Sequence, residues 1–245
     1  QWEAFRASYR CISYSRRYSH PNRNAMPSPD HSALVEADDL AGLLDVLELP
    51  QVTLVGSSYG AYTALALAIA QPQRVAAIVA VEPAMLCYAD FSESGRRERA
   101  RFRAEVIEPA NAAFRRGDDA TAAALMTGGI QGRAAPAADD PAYRRRMQNV
   151  LAMRMLALSS NEFPLLPPAA LRALPMPVLL VSGEDTAPIH AEVFTNVVAA
   201  MPQARSVRIA GAGHSVPRDQ PERFNALALD FLRENLQPAP RDQPA

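Results

Sequence analysis

The sequence predicts an α/β fold: a mainly parallel sheet covered by helices on both faces, with a helical segment inserted into it. Three observations predict it. Short apolar, β-branched runs alternate with helix-length stretches early and late in the chain, which is the rhythm of parallel strands joined by crossover helices. The pentapeptide Gly56-Ser57-Ser58-Tyr59-Gly60 stands between the apolar run Val52-Thr53-Leu54-Val55 and the helix-like stretch from Ala61 to Ala70. Residues 83–175 hold helix-length patterns and no convincing buried strand.

In chain order, Gln1 to Ala7 reads as the end of a helix, and Tyr9 to Tyr14, β-branched and aromatic, as a strand. A polar loop follows, with Pro21, Asn22 and Asn24 as turn formers. Asp30 is an N-cap candidate for a helix running to about Leu49, whose apolar stripe is Leu34, Val35, Ala37, Leu40, Leu43, Leu44 and Leu47. Val52 to Ser57 reads as a buried strand. Ala61 to Gln71 is a helix of small residues suited to close packing, and Val75 to Val81 is a continuous apolar strand of the parallel type.

The inserted segment, residues 83–175, is read as a helical cap. Its helices are expected at Arg96 to Val106, Asn111 to Leu125 and Asp140 to Leu158, broken by Gly128, Gly129, Gly132 and Pro136. Its arginine runs, 96–99 and 144–146, read as solvated faces. The core is thus residues 1–82 and 176–236. In its second part, Pro177 to Ser182 and Ala204 to Ile209 are strands, while Pro188 to Met201 and Gln220 to Leu236 are helices. The proline-rich residues 237–245 read as a disordered tail.

Composition narrows the function classes. A net charge of −1 gives no global attraction to nucleic acid or an anionic membrane. No apolar run is long enough to span a bilayer. Cys11 and Cys87 make no disulfide framework and fit buried thiols in a reducing cytosol, so a cytoplasmic location is expected. No metal-ligand cluster and no cofactor motif stands out. The expected partner is a small-molecule substrate.

Gly-x-Ser-x-Gly alone is weak, since about one chain in ten of this length carries it by chance. Its place between strand and helix gives it chemical meaning. A serine on a sharp strand-to-helix turn lifts its hydroxyl above the sheet edge, and the helix N-terminus points free N–H groups at the same place. Glycines at 56 and 60 relieve crowding at such a turn. Ser58 is therefore the candidate nucleophile, and the Tyr59 N–H a candidate oxyanion donor.

The serine needs a base, and the chain has four histidines: His20, His31, His190 and His214. His214 follows the last strand, in Gly211-Ala212-Gly213-His214, so it is expected on the same sheet edge as Ser58. The base needs a carboxylate to hold its tautomer. Glu82 and Asp185 each follow a strand. Glu82 interrupts an apolar run, where an unpaired carboxylate is costly.

The chain resembles the α/β-hydrolase superfamily over nearly its whole length. The resemblance rests on Val55-Gly56-Ser57-Ser58-Tyr59-Gly60, Pro72-Gln73-Arg74-Val75, Gly183-Glu184-Asp185, and Gly213-His214 followed by Pro221-Glu222-Arg223-Phe224-Asn225. It implies a serine hydrolase whose triad runs in the order serine, acid, histidine. Most members carry the late acid three residues after the strand's glycine; here that position is Thr186, with Asp185 one residue early. The haloalkane-dehalogenase branch places its acid after the strand following the nucleophile, and Glu82 stands 24 residues beyond Ser58 as in that branch. Glu82 is the preferred acid and Asp185 the alternative. The resemblance also implies three strands upstream and an oxyanion loop that nothing here matches. Tyr9–Tyr14 is then expected either to pair with Val52–Ser57 or to leave a gap. The expected reaction is hydrolysis of a small apolar ester or lactone through an acyl-enzyme. C–C bond hydrolysis, acyl transfer by the same triad, and a non-catalytic ligand-binding homologue are the alternatives.

Overall fold

The computed structural model describes residues 1–22, 24, 32–134, 139–159 and 161–236. Asp30, His31, Pro136 and the expected tail lie outside these residues.

Four parallel strands form the sheet, in the spatial order β1 (Val52–Ser57), β2 (Val75–Val81), β3 (Val178–Gly183) and β4 (Arg205–Ile209). The two middle strands are apolar at nearly every position because helices cover both faces. On one face Ile78, Ala80, Val178 and Leu180 pack with α2 (Leu34–Val46), α3 (Tyr59–Ala70) and α10 (Pro188–Ala200). On the other, Val79, Val81, Leu179 and Val181 pack with Phe5 of α1 (Trp2–Arg6) and with Phe224, Ala228, Phe231 and Leu232 of α12 (Pro221–Asn235). The alternation of β2 and β3 residues between the two clusters follows from the two-residue side-chain period of a strand.

Two sequence expectations change here. Tyr9–Tyr14 is not a strand: Tyr9 and Cys11 lean on the second apolar cluster, while Ile12 and Tyr14 are exposed. It takes the gap arrangement, without joining the sheet. β1 is consequently an edge strand among the described residues, not a buried one, and Val55 is 46% exposed. β propensity alone cannot make a strand without a partner to complete its ladder.

Among its described residues the segment between β2 and β3 is made of helices and loops, with different helix boundaries from those expected. It contains α4 (Glu93–Phe102), a π-helical turn (Arg103–Ile107), α5 (Glu108–Arg115), α6 (Asp119–Gln131), α7 (Pro141–Met147), α8 (Val150–Ala157) and α9 (Pro168–Arg172). Asn111–Leu125 is split at Gly117, whose φ of +77° suits a helix end, and Asp118 caps the next helix by accepting from the Thr121 N–H. Gly129 does not break α6: a Cβ there would meet Val106 Cγ1 at 2.3 Å, so it serves close helix contact. Gly132, at φ +63°, ends the helix. Phe114, Ala113 and Ala122 form a small separate core with Val150 and Met153. Arg97 lies exposed and Arg99 half-buried, paired with Glu93 and Asp90 on a face open to solvent.

The elbow glycines also differ from expectation. A Cβ on Gly56 would lie 2.5 Å from the Gly60 carbonyl carbon, whereas a Cβ on Gly60 would meet nothing within 4 Å. Only Gly56 is sterically required. Gly56→Ala is expected to lower the thermal midpoint sharply and Gly60→Ala to leave it within a few degrees, readable by thermal denaturation. Equal midpoints for the two variants would contradict this account of the turn.

Candidate active site

Ser58 and Glu82 leave neighbouring strands at the same level. Ser57 pairs with Val81, and Val81 with Val181, so the next residues emerge together at the carboxyl edge. Three backbone bonds hold them there: Ser58 N–H to the Val81 carbonyl at 2.8 Å, Glu82 N–H to the Val181 carbonyl at 2.9 Å, and Ala84 N–H to the Ser58 carbonyl at 3.1 Å. Both residues have positive φ, +52° at Ser58 and +40° at Glu82. Side chains rarely adopt this region, and it costs of order 1–3 kcal/mol each unless the surroundings impose it. Here the ladder on one side and α3 on the other impose it at Ser58.

Glu82 is buried, at 3% exposure, and each of its oxygens is matched. Oε1 accepts from the Ser182 hydroxyl at 2.7 Å and the Gly183 N–H at 2.9 Å. Oε2 accepts from the Thr186 hydroxyl at 2.8 Å and lies 2.6 Å from His214 Nδ1. Burial pushes this carboxyl's pKa up. The bond to His214 and that ring's charge, then the Gly183 and Ser182 donors, push it down further, and the net shift is downward. A carboxylate with four donors is an acceptor only, so the proton on the His214–Glu82 bond belongs to Nδ1 and leaves Nε2 as the free lone pair.

His214 is 5% exposed and follows β4 through the turn Ala210–Gly213. That turn is pinned beneath it. Asp185 N–H donates to the Ala212 carbonyl at 2.9 Å, Gly213 N–H donates to Asp219 Oδ2 at 3.1 Å, and Gly183 lies too close to the Ala212 carbonyl for any Cβ, at 2.1 Å. Asp185, the alternative acid, is exposed and meets the histidine loop through its backbone alone. Thr186 stands where the resemblance puts an acid, and its hydroxyl donates to the carboxylate that has moved to the neighbouring strand. Tyr59 is the first residue of α3, where backbone N–H groups have no acceptor within the helix.

Sequence reasoning missed three members of this site. Ser182 and Thr186 are short polar residues beside an acid, a signal visible only once the acid's strand is known to neighbour theirs. His190, on α10, stacks on His214 with ring centroids 4.2 Å apart and an interplanar angle of 27°. Glu82, His190 and His214 each offer an atom within 4.8 Å of the others. They are poorly arranged as metal ligands, because imidazole lone pairs lie in the ring plane and two nearly parallel stacked rings do not converge on one point.

A parallel sheet with a strained serine at a strand-to-helix turn and a buried carboxylate–histidine pair at the same edge defines an α/β-hydrolase. The model of the alpha/beta hydrolase family matches residues 2–227, and the chain belongs to that family. It is an enzyme of the hydrolase class. It is 27% identical over 206 residues to a 2-hydroxy-6-oxononadienedioate/2-hydroxy-6-oxononatrienedioate hydrolase of Paraburkholderia xenovorans (strain LB400), covering 81% of this chain and 68% of that protein. It is 28% identical over 220 residues to a 2-hydroxymuconate semialdehyde hydrolase of Pseudomonas sp. (strain CF600), covering 82% and 68%. The chain thus spans about two thirds of these relatives' length. The crystal structure of a bromoperoxidase from Bacillus anthracis shares the fold, with a TM-score of 0.72 at 20% identity over 95% of this chain and 85% of that one. Among the described residues no helix is long and apolar enough to cross a membrane.

Proposed function

We infer that the protein is a serine hydrolase acting on the carbonyl carbon of a small substrate, with Ser58 as nucleophile, His214 as base and Glu82 as the orienting acid. The observation that carries this reading is the 2.6 Å contact between Glu82 and His214 Nδ1, which leaves Nε2 free for the serine hydroxyl. Ser58 Oγ bonds to the carbonyl carbon as its proton passes to His214 Nε2. The Tyr59 N–H receives the developing oxyanion. His214 then returns the proton to the leaving group, the bond to that group breaks, and water repeats the sequence on the acyl-enzyme. Residues 83–175 act as the cap that bounds substrate size.

Two bond types suit this chemistry. A carboxylic ester or lactone releases an alkoxide when its C–O bond breaks, and the protonated histidine supplies the proton to it directly. The second reading, cleavage of a C–C bond next to a ketone, is favoured by the relatives at 27–28% identity, whose names describe hydrolases of hydroxy-oxo-diene acids. The test is to present short-chain fluorogenic esters and a 2-hydroxy-6-oxo-dienoate to the same enzyme preparation. Turnover of either, lost in Ser58→Ala, is the expected result, and the ratio of the two kcat/KM values assigns the bond. Turnover of neither, with no acyl-enzyme burst, would favour a ligand-binding homologue and overturn the proposal.

A further inference from the structure

His190 is an ionisable group at this site to which the reaction above gives no role. It is the third residue of α10, and its ring lies between two others. His214 stacks against it at 4.2 Å, and Phe102 meets it edge-on at 6.1 Å and 62°. Nε2 of the ring is buried, with no hydrogen-bond partner among the described residues. Burial, and next the neighbouring His214, push the His190 pKa down to about 3, so the ring stays neutral across the range in which such a site works.

The end of α6 meets the histidine loop beside this pair of rings. The Gln131 side-chain NH2 donates to Ser215 Oγ at 3.0 Å, one residue after His214. Gly132 lies so close to Ala187 that a Cβ on it would stand 3.0 Å from the Ala187 Cβ. The end of a helix from the inserted segment is thereby tied through Ser215 to the loop of the catalytic base.

We propose that His190 is a positioning residue for His214: packed against Phe102, its ring holds the plane of the base and offers a π face to the imidazolium formed when His214 takes the Ser58 proton. This rests on the Ser58–His214–Glu82 reading above. A neutral ring attracts a cation placed over its face, and a second charged ring would repel it. The attraction exists only while His214 is protonated, so it acts on the transition state more than on the free enzyme. The other titratable groups around His214 are Glu82, bonded to its Nδ1, and Asp219 with its neighbour Arg218 on α11 (Val216–Asp219).

The experiment compares His190→Phe, which keeps a flat ring, with His190→Leu and His190→Gln, which do not. Each is assayed for kcat, KM and the pH dependence of kcat/KM, with fluorophosphonate labelling of Ser58 and the thermal midpoint measured on the same preparations. The two ringless variants are expected to lose roughly tenfold in kcat with KM within about twofold, and their acid limbs to move down by about half a pH unit. His190→Phe is expected to keep the wild-type limb and most of kcat. Should one ringless variant fail to fold, the other carries the comparison. Limbs unchanged in the ringless variants, with only the midpoint altered, would reduce His190 to a packing residue and overturn the proposal. So would a phenylalanine variant that loses as much as the glutamine one. A wild-type enzyme whose Ser58 does not label would instead overturn the triad reading, and this proposal with it.

Discussion

Ser58→Ala is expected to abolish hydrolysis, lowering kcat by as much as about 10⁶-fold, the scale seen when a serine nucleophile is removed from a working triad. Only oxyanion stabilisation and substrate binding then remain. Ser57→Ala is expected to retain substantial activity, because Ser57 is the last residue of β1 and its side chain is exposed. The pair is informative because the two serines are adjacent and differ in backbone. Ser58 holds a φ of +52° at the turn, while Ser57 remains in the strand ladder opposite Val81. Steady-state kinetics on a substrate found by the ester and dienoate comparison reads both. An active Ser58→Ala enzyme would remove the nucleophile from the proposal.

Glu82→Gln is expected to lower kcat by up to about 10⁴-fold, since an amide in place of the carboxylate favours the wrong histidine tautomer and gives the imidazolium no counter-charge. Its Oε2 position also receives the Thr186 hydroxyl, so an NH2 placed there would face a donor. Asp185→Asn is expected to cost little, because that side chain is exposed and only its backbone N–H serves the histidine loop. If the aspartate variant were crippled and the glutamate variant near wild type, the acid assignment would be reversed. Thr186→Val offers a finer check: losing one of four donors to the carboxylate should slow the enzyme far less than losing the carboxylate itself.

How much of this site was legible in the sequence depended on whether a residue's role is local. The elbow was legible because strand, turn and helix are consecutive, and Ser58 with the Tyr59 N–H follow from that alone. His214 was legible from its place after the last strand, which parallel topology brings to the same edge. Glu82 was legible from a physical oddity, a carboxylate ending an apolar strand. Ser182, Thr186 and His190 were not, because each matters only through a neighbour about 100 or 24 positions away, Glu82 or His214. The failure at Tyr9–Tyr14 has a similar origin. Its composition suits a strand, but pairing is a property of two segments, and the edge of β1 is not met by this one. The Gly60 expectation failed because the crowding is one-sided: it is the Cβ of residue 56 that would strike the backbone of residue 60, not the reverse.

Fluorophosphonate labelling of the wild-type protein followed by peptide mapping tests whether Ser58 is an activated nucleophile. One adduct per chain is expected, on the peptide carrying Gly56-Ser57-Ser58-Tyr59-Gly60 and on Ser58 within it, forming faster than in Glu82→Gln. No adduct, or an adduct on Ser57 or elsewhere that forms equally fast in the Glu82 variant, would contradict it.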